Sequence, residues 1–339
     1  KAGVPFEFSE WTVEGCAEFA EARWDVALAP VRGGLQSSCN RIVFAACAEA
    51  LPLATRSLDS EHALGDLAPE LLCGSTASWE TALRKALLEP EWRLATVAKL
   101  RLDFQTKFSA GNIAKRWLSA FESALSAPIQ EKIEAPSIST KYSDPIRSLR
   151  EGKIKVGIVP ASPRPESAAS RYRCHHPIKL LRSLGVDARA CMPEEVCKFD
   201  LAVVSRQILR FDICMDAVEM LNAAKIPAIF DFCDRLLPEE APASVALDFL
   251  KHCQGITVSS LSLKEAYSAN IATPIMQIDD IVDNAPGLGA PEFPKEPAPE
   301  GVLRVGWTGL PGFVGISFLP LTEIFKLLQK DLPNSFHDV

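Results

Sequence analysis

Residues 151–284 constrain the fold more tightly than any other stretch. Short apolar runs alternate there with amphipathic segments, and glycines or polar turns separate them. Lys153–Val159, Asp187–Cys191, Asp200–Ser205, Pro227–Asp231, Gly255–Ser259 and Ile275–Ile278 read as strands. His176–Leu184, a segment through Met220 and Ala224, Val245–Cys253 and Ser262–Ser268 read as helices between them, with Gly185 ending the first. A strand that is apolar at successive positions is buried on both faces. Such strands joined by helices form a parallel sheet covered on both sides, with right-handed crossovers. The expectation is a Rossmann-like α/β domain.

The N-terminal block begins on the same logic. Val4–Phe8, Asp25–Pro30 and Leu51–Thr55 read as strands, and Val13–Arg23 and Asn40–Glu49 as helices. Three helices follow, Ser78–Leu88, Glu91–Phe108 and Ala110–Ala124, a tail of the kind that braces one α/β domain against another. Pro128–Ser148 is polar and aperiodic and reads as a linker, and Ala285–Pro299, with five prolines and two glycines, as a hinge. The last piece is a strand, Val302–Trp307, a turn, Thr308–Gly315, and a helix, Phe318–Lys330. The expected division is 1–125, a linker at 126–150, a domain at 151–284, a hinge at 285–300, and a short piece at 301–339. The chain does not begin with methionine and stops where a strand would follow a helix, so it reads as a fragment of a longer polypeptide.

Charge and cysteine usage narrow the function classes. With 36 Lys and Arg against 43 Asp and Glu the formal charge is −7, which disfavours a protein that coats nucleic acid or anionic membrane. No uncharged apolar run reaches the roughly 18 residues of a membrane span. The ten cysteines are scattered, none at C-x-x-C spacing, and most lie in apolar stretches such as 45–48. They read as buried, reduced thiols, hence a cytoplasmic protein with no zinc site, leaving open a place at the membrane surface in a longer parent. G-x-S-x-G, Walker, H-E-x-x-H and G-x-G-x-x-G patterns are absent, which removes support from hydrolase, NTPase, metalloprotease and NAD-enzyme readings.

Four places can carry chemistry. Arg304-Val305-Gly306-Trp307-Thr308-Gly309 is a strand entering a glycine turn, where backbone N–H groups can approach a phosphate; the bland reading is a tight turn. Residues 33–41, with Gln36, Ser38, Asn40 and Arg41, join a strand to a helix start and suit a diphosphate; the alternative is an ordinary N-cap with a surface arginine. The loop after Val159 lies at the carboxyl end of a strand, where open α/β sheets bind ligands. From Ala161 to Ala190 there are six Lys and Arg against two Asp and Glu, and Arg171, Tyr172 and Arg173 are the residues chosen from that patch to meet an anionic ligand or sugar hydroxyls. His175 and His176 read as helix-start residues rather than metal ligands. Asp231 and Asp234 end another strand on the same edge, where a carboxylate can orient hydroxyls or act as a base. Capping by Asp231, or a divalent metal held by both, are the competing readings, and two carboxylates alone make a poor metal site.

These residues together resemble GT-B glycosyltransferases of the family 4, or group 1, type. Lys155–Val159, Ser170-Arg171-Tyr172-Arg173 with Pro177, the strand at 200–205, Ile229–Asp234 and Ile256–Ser260 look like the acceptor-side domain. Val305–Gly309 looks like the first strand and turn of the donor-binding domain. Trp24–Pro30, Ser38 with Asn40 and Arg41, Leu51–Thr55 and Trp79–Arg93 look like the later part of one. The order differs from the family's, because the end of a donor domain precedes an acceptor domain. That points to a slice of a tandem glycosyltransferase polypeptide.

The resemblance implies retaining, metal-independent transfer from a nucleotide sugar to a carbohydrate or a glycan- or lipid-linked acceptor, with no separate cofactor. It assigns Gly306, Thr308, Gly309, Gln36, Ser38, Asn40 and Arg41 to the donor, Arg171, Tyr172 and Arg173 to the acceptor cleft, and Asp231 and Asp234 to catalysis. The family's pair of donor-domain glutamates matches Gln36 and Phe44 here, and the acceptor-domain histidine is replaced by the Asp231 region. A non-catalytic carbohydrate- or nucleotide-sugar-binding module is therefore the rival reading, and a metal-dependent GT-A transferase using Asp231 and Asp234 a third. In a Rossmann-like sheet strand one pairs with strand four. In the family's order Val302–Trp307 is strand one and Asp25–Ala29 strand four, so the two are expected side by side in a permuted GT-B-like body of two Rossmann-like domains, with the helical tail against 151–284.

Overall fold

The structure is a computed structural model. It describes residues 24–30, 39–127, 141–162, 164–165, 167–206, 211–233, 250–269, 271–288, 304–307 and 330. The fold is α/β, with two separate all-parallel sheets. Of the described residues, 24–30, 39–108 and 282–330 belong to one compact unit and 109–281 to the other.

The first unit holds β1 (Val26–Ala29), β2 (Leu51–Thr55), β3 (Leu72–Cys73) and a strand from the far end of the chain, β10 (Val305–Trp307). Their order is β10-β1-β2-β3. Val26, Ala27 and Leu28 lie opposite Val305, Gly306 and Trp307. All four residues of β1 are buried, as a central parallel strand requires. Pro52 sits inside β2 without breaking it. Leu51 N–H donates to the Asp25 carbonyl on the β1 side, and the next residue faces the other side, where β3 pairs only with Ala54 and Thr55. The N–H that proline lacks is not needed there. Helix α1 (Asn40–Cys47) crosses over β1 and β2 with Ile42, Val43, Ala45 and Ala46 buried.

After β2 come short elements that periodicity cannot reveal: α2 (Leu58–Leu64), a 3₁₀ turn (Gly65–Leu67) and α3 (Ala68–Leu71). Helix α4 (Thr76–Leu88) starts two residues before the expected Ser78, because Ser75 and Ser78 form a reciprocal capping box. Helix α5 (Pro90–Lys107) follows directly, with proline at its first position.

The second unit begins with α6 (Ala110–Ser126), capped by Ser109, whose side chain accepts from Asn112 N–H. Part of the expected linker at 126–150 is helical. Pro145–Arg150 forms α7, capped by Asp144, and Leu149 within it is fully buried. Among the described residues its strands are β4 (Lys155–Val159), β5 (Asp187–Ala190), β6 (Leu201–Ser205), β7 (Ala228–Phe232), β8 (Gly255–Val258) and β9 (Ile275–Gln277), in the order β5-β4-β6-β7-β8-β9. The sheet reverses direction of growth at β4, so a crevice is expected outside the carboxyl ends of β4 and β6.

After β4 the chain forms α8 (Ala168–Ser170), a π-helical turn (Arg171–His175) and α9 (His176–Ser183) without interruption. The π turn has a local cause. Pro177 has no N–H, and its ring crowds the carbonyl four residues back, that of Arg173. The wide turn, closed by His176 N–H on the Arg171 carbonyl, relieves both. Gly185 ends the helix at φ +89°, as expected of a C-terminal glycine. Helices α10 (Phe211–Ala223) and α11 (Leu261–Ser268) cover one face of the sheet, where Cys214, Ala217, Val218, Leu221 and Leu263 pack with Val204, Phe230 and Ile256. Helix α6 packs on β7, β8 and α9. The elements expected at 4–8, 13–23, 245–249 and 308–329 lie outside the described residues.

Candidate functional site

Ser205, Asp231 and Thr257 stand side by side near the carboxyl ends of β6, β7 and β8, paired across the ladders. Neighbours in register on a parallel sheet point to the same face, so all three side chains converge. The Thr257 hydroxyl donates to Asp231 Oδ1 at 2.7 Å and the Ser205 hydroxyl to Oδ2 at 3.4 Å.

The π turn delivers Arg173 onto this row. Its Nε donates to Asp231 Oδ2 at 3.1 Å and its Nη2 to Oδ1, a two-pronged ion pair. Its Nη1 donates to the Ile278 carbonyl and lies 3.5 Å from Asp280 Oδ1. The guanidinium carbon sits 4.9 Å from the centre of the Trp117 ring, on α6. The side chains of Arg173 and Asp231 are both 0 % exposed. Burial works against the Arg173 charge, but the charge and hydrogen bonds of Asp231, with Asp280 beside it, push its pKa above the usual arginine value. The pair is a fixed dipole at the sheet's carboxyl edge, with the Asp231 oxygens engaged and closed to solvent.

Around it, the Arg171 guanidinium lies 5.4 Å from the Tyr172 ring centre, and that ring stacks on His176 at 6.2 Å. Both Arg171 and Tyr172 are buried. Burial, His176 and Arg171 together lower the pKa of His175, favouring its neutral form. Ser170 Oγ donates to the Ser162 carbonyl at 2.9 Å and accepts from Ser162 N–H at 3.1 Å, tying the loop after β4 to the start of the helix.

The structure thus brings together Arg173 and Asp231 among the residues chosen from sequence. It seats Arg171 and Tyr172 on the same helical run. In the first unit Asn40 opens α1 half-buried and Arg41 is exposed. Gly306 has a packing reason that the sequence did not reveal. A Cβ there would lie 2.4 Å from Cδ2 of Trp24, whose ring occupies the space. Gln36, Ser38, Asp234, Thr308 and Gly309 lie outside the described residues. Sequence reasoning missed Trp117, Ser205, Thr257 and Asp280. The only local signal for the last was an acidic pair, Asp279-Asp280, set between Ile278 and Ile281.

Among the described residues no three His, Cys, Asp or Glu side chains gather where they could hold a metal ion. No described helix is long and apolar enough to cross a membrane. Compared with family models, curated proteins and solved structures, the chain matches none.

Proposed function

We propose that this chain derives from a GT-B glycosyltransferase and that its chemistry is transfer of a sugar from a nucleotide-sugar donor to a carbohydrate or a glycan- or lipid-linked acceptor. The observation that carries this reading is the parallel register of β10 on β1, in a sheet separate from that of β4–β9. Two Rossmann-like sheets, with the donor strand one beside strand four, are what the family resemblance asks for, and on this reading β10 and β1 are those two strands in permuted order. On this reading the turn after Gly306, the start of α1 and Arg41 face the donor diphosphate and stabilise its departing charge. Arg171, Tyr172 and Asp234 contact hydroxyl groups, while Arg173 and Asp231 act as positioning residues.

A binding module without turnover is the second reading. The enclosed Asp231 carboxylate favours it, because a group with its oxygens engaged by Arg173, Thr257 and Ser205 is not available as a base. Calorimetric titration of the chain with UDP-, GDP- and ADP-sugars, beside an assay of sugar release, tests both. Binding with turnover supports the transferase, and binding alone supports the module. Neither binding nor turnover with any donor would sink the nucleotide-sugar assignment.

A further inference from the structure

The chain leaves the first unit for the second at 108/109 and returns at 281/282. The first element after the outward passage is α6, and the last segment before the return is 278–281. They are 163 residues apart at Arg116 and Asp279, yet those two side chains form an ion pair. Asp279 is also held by Gln277, whose Nε2 donates to Oδ1 at 3.1 Å. Arg173 reaches the same two segments from a third element. It lies over the ring of Trp117 on α6, donates to the Ile278 carbonyl, and faces Asp280. Ile278, Asp279, Asp280 and Ile281 are all buried.

A buried ion pair contributes little net stability compared with apolar residues of the same shape, and its best-attested use is to specify one arrangement. Arg173 has donors in several directions from one rigid plane, which suits it to fix several segments at once. We infer that Arg173 and Arg116 form a clasp that locks both passages of the chain onto the second unit as one block, with the π turn as its third arm. The Ser162–Ser170 bonds connect that arm to the loop after β4, so a change in the loop is felt at both passages. The clasp lies wholly within 109–281 and stands whether or not the chain handles nucleotide sugars.

Hydrogen exchange on the intact chain tests the clasp. Peptides covering 110–118 and 276–282 are followed in the parent and in Arg173→Met, Arg173→Lys and Arg116→Gln, with β4 and β6 as internal references. Arg182→Gln serves as control, since Arg182 Nε donates to the nearby Ala188 carbonyl. Arg173→Met should lower protection of both segments together by about tenfold or more relative to the references. Arg173→Lys keeps a charge and loses the fork, so it covers the case in which Arg173→Met does not fold; a smaller joint loss is expected. Arg116→Gln should loosen the same two segments and leave the π turn unchanged. Loss confined to one segment, loss confined to the π turn and β7, or equal loss across the unit would each overturn the inference.

Discussion

The Asp25 carboxylate accepts a hydrogen bond from the backbone N–H of Arg304 at 2.9 Å, 279 residues along the chain. In return the Arg304 carbonyl accepts the N–H groups of Asp25 and Val26, at 2.8 and 3.1 Å. The other Asp25 oxygen lies 3.5 Å from Arg93 Nη2 on α5. One buried carboxylate therefore joins the start of β1, the start of β10 and a covering helix.

Asp25→Ala should cost about 1–3 kcal/mol, because it strands a backbone donor and a largely buried guanidinium. Urea unfolding measures this. Glu61→Ala, which removes the exposed partner of Arg56, should cost under about 1 kcal/mol. Equal effects from the two variants would show that Asp25 does no more than a surface pair.

Gly306→Ala should destabilise by about 1–3 kcal/mol, because the new methyl group and the Trp24 ring claim the same space. Trp24→Ala alone should also destabilise. In the double variant the methyl group no longer meets an indole, so the cost should be less than the sum. A double-mutant cycle with strictly additive terms would remove the contact from the account.

Arg173→Met and Asp231→Leu should each cost about 3–5 kcal/mol, since either breaks the buried pair by removing one member. Together they replace a buried ion pair by apolar side chains, and much of the loss should be recovered. Chemical denaturation of the three variants reads this directly. A double variant as unstable as the sum of the singles would contradict it.

Asp200 makes one stability term depend on acid. Burial works against its charge, but hydrogen bonds from Lys141, the Lys155 N–H and Tyr142 outweigh that, so its folded pKa lies below the ordinary carboxylate value. The stabilisation is complete above the unfolded pKa of about 3.9 and is lost as pH falls through the lower folded value. Asp200→Asn should be less stable than the parent by on the order of 1 kcal/mol at pH 7. The gap should hold down to about pH 4 and close below it. A gap that instead closes on the alkaline side would refute the assignment.

Thiol reactivity should separate the cysteines sharply. Burial pushes the Cys73, Cys174, Cys191 and Cys253 thiols up to about 12, whereas Cys197 is exposed. In a Cys16→Ser background, since Cys16 lies outside the described residues, an aromatic disulfide reagent should label Cys197 first in the native protein. Cys197→Ser should abolish the fast phase, and the buried thiols should react only on unfolding.

Much of the architecture is legible in the sequence. The strands β4, β6, β7 and β8 are near-continuous apolar runs because both of their faces are covered, and burial on two faces leaves a mark on every successive residue. Gly185 was readable as a helix end because only the local backbone decides it. Leu51–Thr55 was placed to the residue despite its proline. Features shorter than two helical turns, such as α2 and α3, carried no period to read.

Relations between distant residues have no signature in the local sequence. That the absent side chain of Gly306 leaves room for the Trp24 ring cannot be read from either residue's neighbours in sequence. Arg173 and Asp231 each looked like cleft residues, because a charged group at a strand's carboxyl edge is exposed unless another segment covers it. Helix α6 and residues 278–281 provide that cover, and no neighbour in sequence announces it. The α/β class, most strand positions and the residue types at the sheet edges can be read from the sequence, since these depend on burial and contacts within a few residues. Which charges meet, which are enclosed, and which glycine makes room for an indole depend on contacts between residues far apart in the chain, and those exist only once it is folded.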